Sequence, residues 1–294
     1  MIDFTAIRTY PVATRKCKFD LSEMLPVTCT TKYQNAAITT LAQRIRNARN
    51  DGHPVMVMMG GAVIKEGCSL LLIDLMKKGL ITHLAMNGSV SIHDFEIAMI
   101  GRTSEDVIEN LSDGSFGMAD ETGRFMNEAI IKGYSDGMGF GESIARETEQ
   151  RQFPFREYSI IHQAISMNLR ATVHVAIGND IIHQHPSCDG AATGAASFTD
   201  FRLFTDTLST IGTGVVINLG SAVIMPEVFL KALAICRNLG HRHNDFTVAN
   251  CDFLDMYRPR TRVLEWPASF GATALNIRGR HRETVAALHL ALRN

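Results

Sequence analysis

The 294-residue sequence predicts an α/β protein built on a doubly wound, mostly parallel sheet with helices on both faces. Three observations carry this expectation. Short uninterrupted apolar runs of strand length recur along the chain, most end in a glycine turn, and stretches of helical periodicity separate them.

The elements follow in order. After an irregular segment over residues 1–33, Gln34 to Asn50 places Ile38, Leu41 and Ile45 at helical spacing, with Gly52 as a stop. Pro54 to Met59 is a continuous apolar run, the pattern of a strand covered on both faces. Gly60 and Gly61 end it, Val63 to Lys78 reads as a helix, and Thr82 to Met86 as a second strand closed by Asn87 and Gly88. This strand, glycine turn, helix and strand make a βαβ crossover. The stretch between Ile92 and Leu169 is mainly helical, broken by glycines. The alternation then resumes: a strand at Ala171 to Ile177, a helix at Thr199 to Leu208, a strand at Gly214 to Leu219, and a helix at Pro226 to Leu239. Strands at Phe246 to Phe253 and Ala272 to Ile277 and a last helix at His281 to Leu292 complete it. No solenoid repeat or low-complexity linker interrupts the chain, so one domain over 1–294 is expected.

Composition narrows the partners. Hydrophobic residues make up 46% and charged residues 20%, and the formal net charge is −1 with basic residues scattered. Such a surface offers no electrostatic footprint for nucleic acid or an anionic membrane, and no apolar run approaches the ~20 residues that span a bilayer. A small molecule is the expected partner. The six cysteines form no CxxC pair, and Cys68, Cys236 and Cys251 lie in core-like runs, which suits a reducing, cytoplasmic compartment.

Ligands of open α/β sheets bind beyond the carboxyl ends of the strands. Here those ends are Gly60-Gly61, Met86-Asn87-Gly88, Gly178 to Asp180 and Gly220-Ser221. Small residues let backbone N–H groups approach a phosphate; they equally permit tight turns, and none has the full GxGxxG spacing. The densest polar cluster runs from Ile177 to Gly190. His183 and His185 share one face if that segment is extended, and with Asp180 and Asp189 they make a workable Zn²⁺ or Mn²⁺ set. Loop histidines also serve as hydrogen-bonding or substrate-binding groups. Cys188 is either a nucleophile or an inert loop thiol. His93 and Asp94 open the helix after Asn87-Gly88, where an acid complements the helix dipole or faces a ligand.

The run from Gly79 to Ala98, with Gly60 to Gly67 before it, resembles deoxyhypusine synthase, and in particular that family's bacterial, synthase-like branch. The likeness continues through Ile177 to Gly190, Asn218 to Leu233 and Ile277 to His281, covering about Ala36 to Leu292. The resemblance implies a Rossmann-like fold, NAD as cofactor, and a homotetramer with sites at subunit interfaces. It places cofactor contacts at Gly60, Gly61, Met86, Asn87, Gly88, Asp180, Gly220 and Ser221, and an acidic pair near His93 and Asp94. The family forms an imine on a lysine that follows a Trp-Gly pair. Here the corresponding stretch, Tyr257 to Phe270, has no lysine; Pro267 follows Trp266, and the last lysine of the chain is Lys231. Deoxyhypusine synthesis itself is therefore not expected.

The function expected from the sequence is NAD-dependent oxidation or transfer on a small, polyamine-like amine, with His183, His185, His93 and Asp94 as candidate catalytic groups. The alternatives are a metal-dependent hydrolase on the His183/His185 loop, or a binding paralogue without chemistry.

Overall fold

The computed structural model describes residues 2–293. Its strands are β1 (Phe19–Asp20), β2 (Val55–Met59), β3 (His83–Asn87), β4 (Arg102–Thr103), β5 (Arg170–His174), β6 (Val215–Leu219), β7 (Thr247–Asp252) and β8 (Thr273–Arg278). β1 and β4 form a small antiparallel ribbon; the other six make one parallel sheet in the order β5-β3-β2-β6-β7-β8. Within that sheet the strands stand third, second, first, fourth, fifth and sixth in chain order. This is the doubly wound Rossmann-like arrangement, whose direction reverses between β2 and β6.

The centre of the sheet is covered on both faces because its strands are largely apolar on both. All residues of β2 and β6 are buried, and successive side chains feed two separate cores. Val55, Val57 and Met59 join the layer formed with helices Ala36–Asn50, Ser69–Lys77 and His281–Arg293. Met56 and Met58 join the other layer, with Phe204 of helix Gly190–Ser209 and Phe229 of helix Ile224–Asn238.

The structure changes several sequence-level boundaries. The helix expected over Val63 to Lys78 is two, Ala62–Lys65 and Ser69–Lys77. They break at Gly67, which has φ +75° and packs against the Glu23 carbonyl. β5 ends three residues before Ile177, where the Asn179 N–H donates to the Ala176 carbonyl and turns the chain. The helix expected from Thr199 starts at Gly190, because Asp189 caps it by accepting from the Ala191 and Ala192 N–H groups. β3 runs straight into helix Gly88–Ile100, with Asn87 as its N-cap. Residues 2–33 carry three short 3₁₀ turns and β1, and they deliver Arg15 to the interior.

No helix among the described residues is long and apolar enough to cross a membrane. All six cysteines are free.

Candidate active site

The carboxyl ends of β2, β3 and β5 open on a cavity of about 260 Å³, near the lower end of the ~300–1,000 Å³ usual for ligand pockets. Its polar wall includes His93, Ser89, Lys65, Glu96, Arg15 and Asp180. Ile92, Val107, Phe116 and Ile181 supply apolar surface.

His93 is held by a chain of hydrogen bonds that starts in the N-terminal segment. Arg15 donates from both terminal nitrogens to the two Glu96 oxygens, each at 2.7 Å, and both side chains are 2% exposed. Glu96 also accepts from the hydroxyls of Thr103 (2.6 Å) and Thr122 (2.9 Å). With Arg15 on it, Glu96 stays ionised below the usual carboxylate range against the opposing effect of burial. A carboxylate only accepts, so the single Thr103 proton must point at Glu96. Thr103 Oγ1 can then only accept from His93 Nδ1, 2.8 Å away. The network therefore fixes the tautomer: Nδ1 carries the proton, and Nε2 has a free lone pair and no protein partner. Burial pushes the His93 pKa down to about 4, with Lys65 and Arg15 opposing its protonation further. At neutral pH His93 is an uncharged base in the cavity wall.

Gly61 makes the room beside it. A Cβ there would lie 2.7 Å from Ser89 Oγ and 3.2 Å from His93 Cδ2, so the missing side chain lets Ser89 and His93 of helix Gly88–Ile100 pack against the turn after β2. Gly60 and Gly220 have a different task. A Cβ on Gly60 would overlap the Gly220 carbonyl, and one on Gly220 (φ +66°) would overlap the His281 ring. These two loops touch at the reversal point of the sheet. Ser221 caps helix Ile224–Asn238 by accepting from the Met225 N–H at 3.2 Å. Met86 is fully buried in the core and presents only backbone at the crest.

Asp180 packs its carboxylate over Gly88, where a Cβ would overlap it. The residue is 8% exposed. Oδ2 is shut in without a hydrogen-bond partner, and burial raises its pKa to about 6.

The remaining expected site residues are engaged elsewhere. Asp94 points away from the cavity: it accepts from Ser159 Oγ (2.5 Å) and from the Ile160 and Ile161 N–H groups, capping helix Ile160–Ser166. The segment with His183 and His185 is a 3₁₀ turn, Ile181–Gln184, not an extended run. His183 Nδ1 accepts from the Gly178 and Asp180 N–H groups, both at 3.2 Å, so its proton is on the buried Nε2. His185 Nε2 lies 2.8 Å from the Gly117 carbonyl, and its ring packs on Gly123. Asp189 is the helix cap described above. Among the described residues no three His, Cys, Asp or Glu side chains converge on a possible metal. Burial raises the Cys188 pKa, which disfavours the thiolate.

Arg15, Glu96 and Thr103 are the residues that sequence reasoning missed. The available signal was Glu96 itself, an acid inside the apolar run Ile92 to Ala98 with no cation near it in sequence.

No family model matches this sequence, and neither does any curated protein sequence. Solved structures do resemble the fold. AgrE in ternary complex with ornithine and NAD⁺ superposes over 90% of this chain and 34% of its own, with TM-score 0.58 and 14% identity. A conserved putative LOR/SDH protein from Methanococcus maripaludis S2 matches over 97% and 74%, with TM-score 0.54 and 16% identity. A putative deoxyhypusine synthase from Entamoeba histolytica matches over 89% and 88%, with TM-score 0.50 and 10% identity. The chain spans only a third of AgrE. What is shared at these identities is the fold.

Proposed function

We propose that the chain is an NAD-dependent oxidoreductase or transferase acting on a small amine. NAD lies along the crest formed by Gly60-Gly61, Met86-Asn87-Gly88 and Gly220-Ser221, and the substrate occupies the cavity beside it. The observation that carries this reading is His93: a neutral imidazole with one fixed tautomer and an unpartnered Nε2, packed against the glycine turn at Gly61. Ligands of doubly wound sheets lie where the strand order reverses, and the related fold of AgrE has been solved with NAD⁺.

NAD, when bound, supplies the hydride acceptor. His93 Nε2 takes one proton from the substrate ammonium, leaving a nitrogen lone pair. As the neighbouring carbon gives up its hydrogen as hydride, that lone pair becomes the second bond of a C=N group. The Arg15–Glu96–Thr103 chain holds the imidazole in its accepting tautomer and stabilises the imidazolium that forms. The apolar wall of Ile92, Val107, Phe116 and Ile181 limits water around it. The hydrolase alternative has no convergent ligand set to support it.

The homotetramer with sites at subunit interfaces belongs to the same proposal. Phe253, Leu254, Tyr257 and Trp266 are exposed and supply apolar surface near the sheet's carboxyl edge. Native mass spectrometry measures the assembly.

Calorimetric titration with NAD⁺ tests the reading. Wild type should bind, and Gly61→Val should not, because its side chain displaces Ser89 and His93 from the wall beside the turn. Equal affinity in a folded Gly61→Val protein sinks the placement.

A further inference from the structure

The cavity wall holds five charged side chains: Arg15, Lys65, Glu96, Glu105 and Asp180. Three have charged or hydrogen-bonding partners inside the protein. Arg15 and Glu96 pair with each other. Glu105 accepts from Asn110 Nδ2 at 2.7 Å and from the Gly117 N–H at 3.0 Å. Two are left without charged partners, and their charges are opposite.

Asp180 is the stronger observation. Its side chain closes a capping box toward the His183 N–H, but a carboxylate more than nine-tenths buried with one oxygen unpartnered is costly, and native structures rarely tolerate one. Its Oδ2 is closed off against Gly88, so Oδ1 is the oxygen that a ligand can reach. An ammonium satisfies it, whereas a phosphate or carboxylate placed there is repelled. Lys65 also lines the cavity, near enough to His93 to oppose protonation of that ring. It is exposed and enters no ion pair among the described residues.

We infer that the cavity recognises a zwitterion, an α-amino acid whose ammonium sits on Asp180 and whose carboxylate sits on Lys65. This rests on the reading above and sharpens it from an amine to an amino acid. The two charges fix the Cα between them, and His93 Nε2 is then beside the ammonium. The side chain runs along Ile92, Val107, Phe116 and Ile181. A polyamine satisfies Asp180 but leaves Lys65 facing a second cation.

The test uses the whole chain and two separate measurements. NAD⁺ titration alone reports on the cofactor reading. Thermal shift against the twenty proteinogenic L-amino acids and L-norvaline, with and without NAD⁺, reports on the inference. For the best ligand, the decarboxylated amine and the deaminated acid are then titrated; for norvaline these are butylamine and pentanoate. A charge-assisted contact contributes about 1.5–3 kcal/mol, so each truncation should weaken binding roughly tenfold to a hundredfold. Lys65→Gln should erase the preference for amino acid over amine, and the near-isosteric Asp180→Asn should weaken both. Three outcomes overturn the inference while leaving the cofactor reading intact: NAD⁺ binding with no amino acid binding, an amine that binds as tightly as its amino acid, or a folded Asp180→Asn protein of unchanged affinity.

Discussion

Two histidine-bearing segments lie at the same edge of the sheet and are put to different uses. The loop from Ile177 to Gly190 has the densest polar sequence in the chain, yet apart from Asp180, which lines the cavity, its acidic and imidazole side chains are engaged in building the loop. His183 ties down two backbone N–H groups, His185 anchors on the Gly117 carbonyl, and Asp189 caps a helix. The start of helix Gly88–Ile100 looks plainer in sequence and carries one histidine. That histidine lines the cavity with its basic nitrogen unpartnered, because Thr103 and Glu96 occupy the other, whereas the unpartnered Nδ1 of His185 is packed against Gly123. Polar density marks where a chain needs internal partners; a site is marked by capacity left over after folding.

The sharpest way to break this contrast is to exchange the outcomes. His93→Asn should lower kcat/KM for NADH formation by ~10²–10⁴-fold, with little change in Tm, since its amide sits where Nδ1 was and can still donate to Thr103. If instead His183→Ala or His185→Ala removes turnover and His93→Asn does not, the two regions have been assigned the wrong way round. Nitrogen NMR adds detail: His93 should titrate far below the ordinary histidine range, with its proton on Nδ1.

Breaking the support beneath His93 should affect stability as well. Arg15→Met leaves the Glu96 charge buried and unpaired, which costs about 3–5 kcal/mol, read as a fall in the urea midpoint. Arg15→Met with Glu96→Met should recover much of that stability without recovering turnover. Full recovery of activity in the double variant would show that the chain of hydrogen bonds does nothing for His93.

His185→Ala is the milder counterpart. It removes one buried hydrogen bond and ring packing on Gly123, so a loss of about 1–3 kcal/mol is expected, with kcat within a few-fold of wild type. An unchanged Tm would mean the loop is not held as described.

The smallest effect is a pH limb. Asp180 titrates at about 6 and His93 at about 4. As pH falls through about 6, Asp180 gains a proton and loses its attraction for an ammonium, so kcat/KM should drop about tenfold per pH unit. Between 6 and 4 that loss should lie in KM; only below about 4, where His93 is protonated, should kcat fall. Asp180→Asn should lose the upper limb. A single limb at the ordinary histidine value in every variant would contradict both assignments.

Much of the fold was legible in the sequence because it depends on short-range pattern. The runs at Val55–Met59 and Val215–Leu219 are apolar on both faces almost throughout, so they had to be covered twice, and the intervening helical stretches are what covers them. The crest glycines were legible as a group, but their separate tasks were not: Gly61 lets Ser89 and His93 pack on its backbone, while Gly60 and Gly220 allow two loops to touch. Asp94 and Glu96 show the limit. They are two residues apart on one helix, yet one caps Ile160–Ser166 and the other receives Arg15 from 81 residues away. By itself the sequence determined the strands, the crossovers and the edge at which chemistry is to be sought. Only the tertiary structure decided which side chains meet there. Periodicity is set by neighbours along the chain, whereas the unsatisfied capacity of His93 and Asp180 depends on every distant donor and acceptor that folding does or does not bring to them.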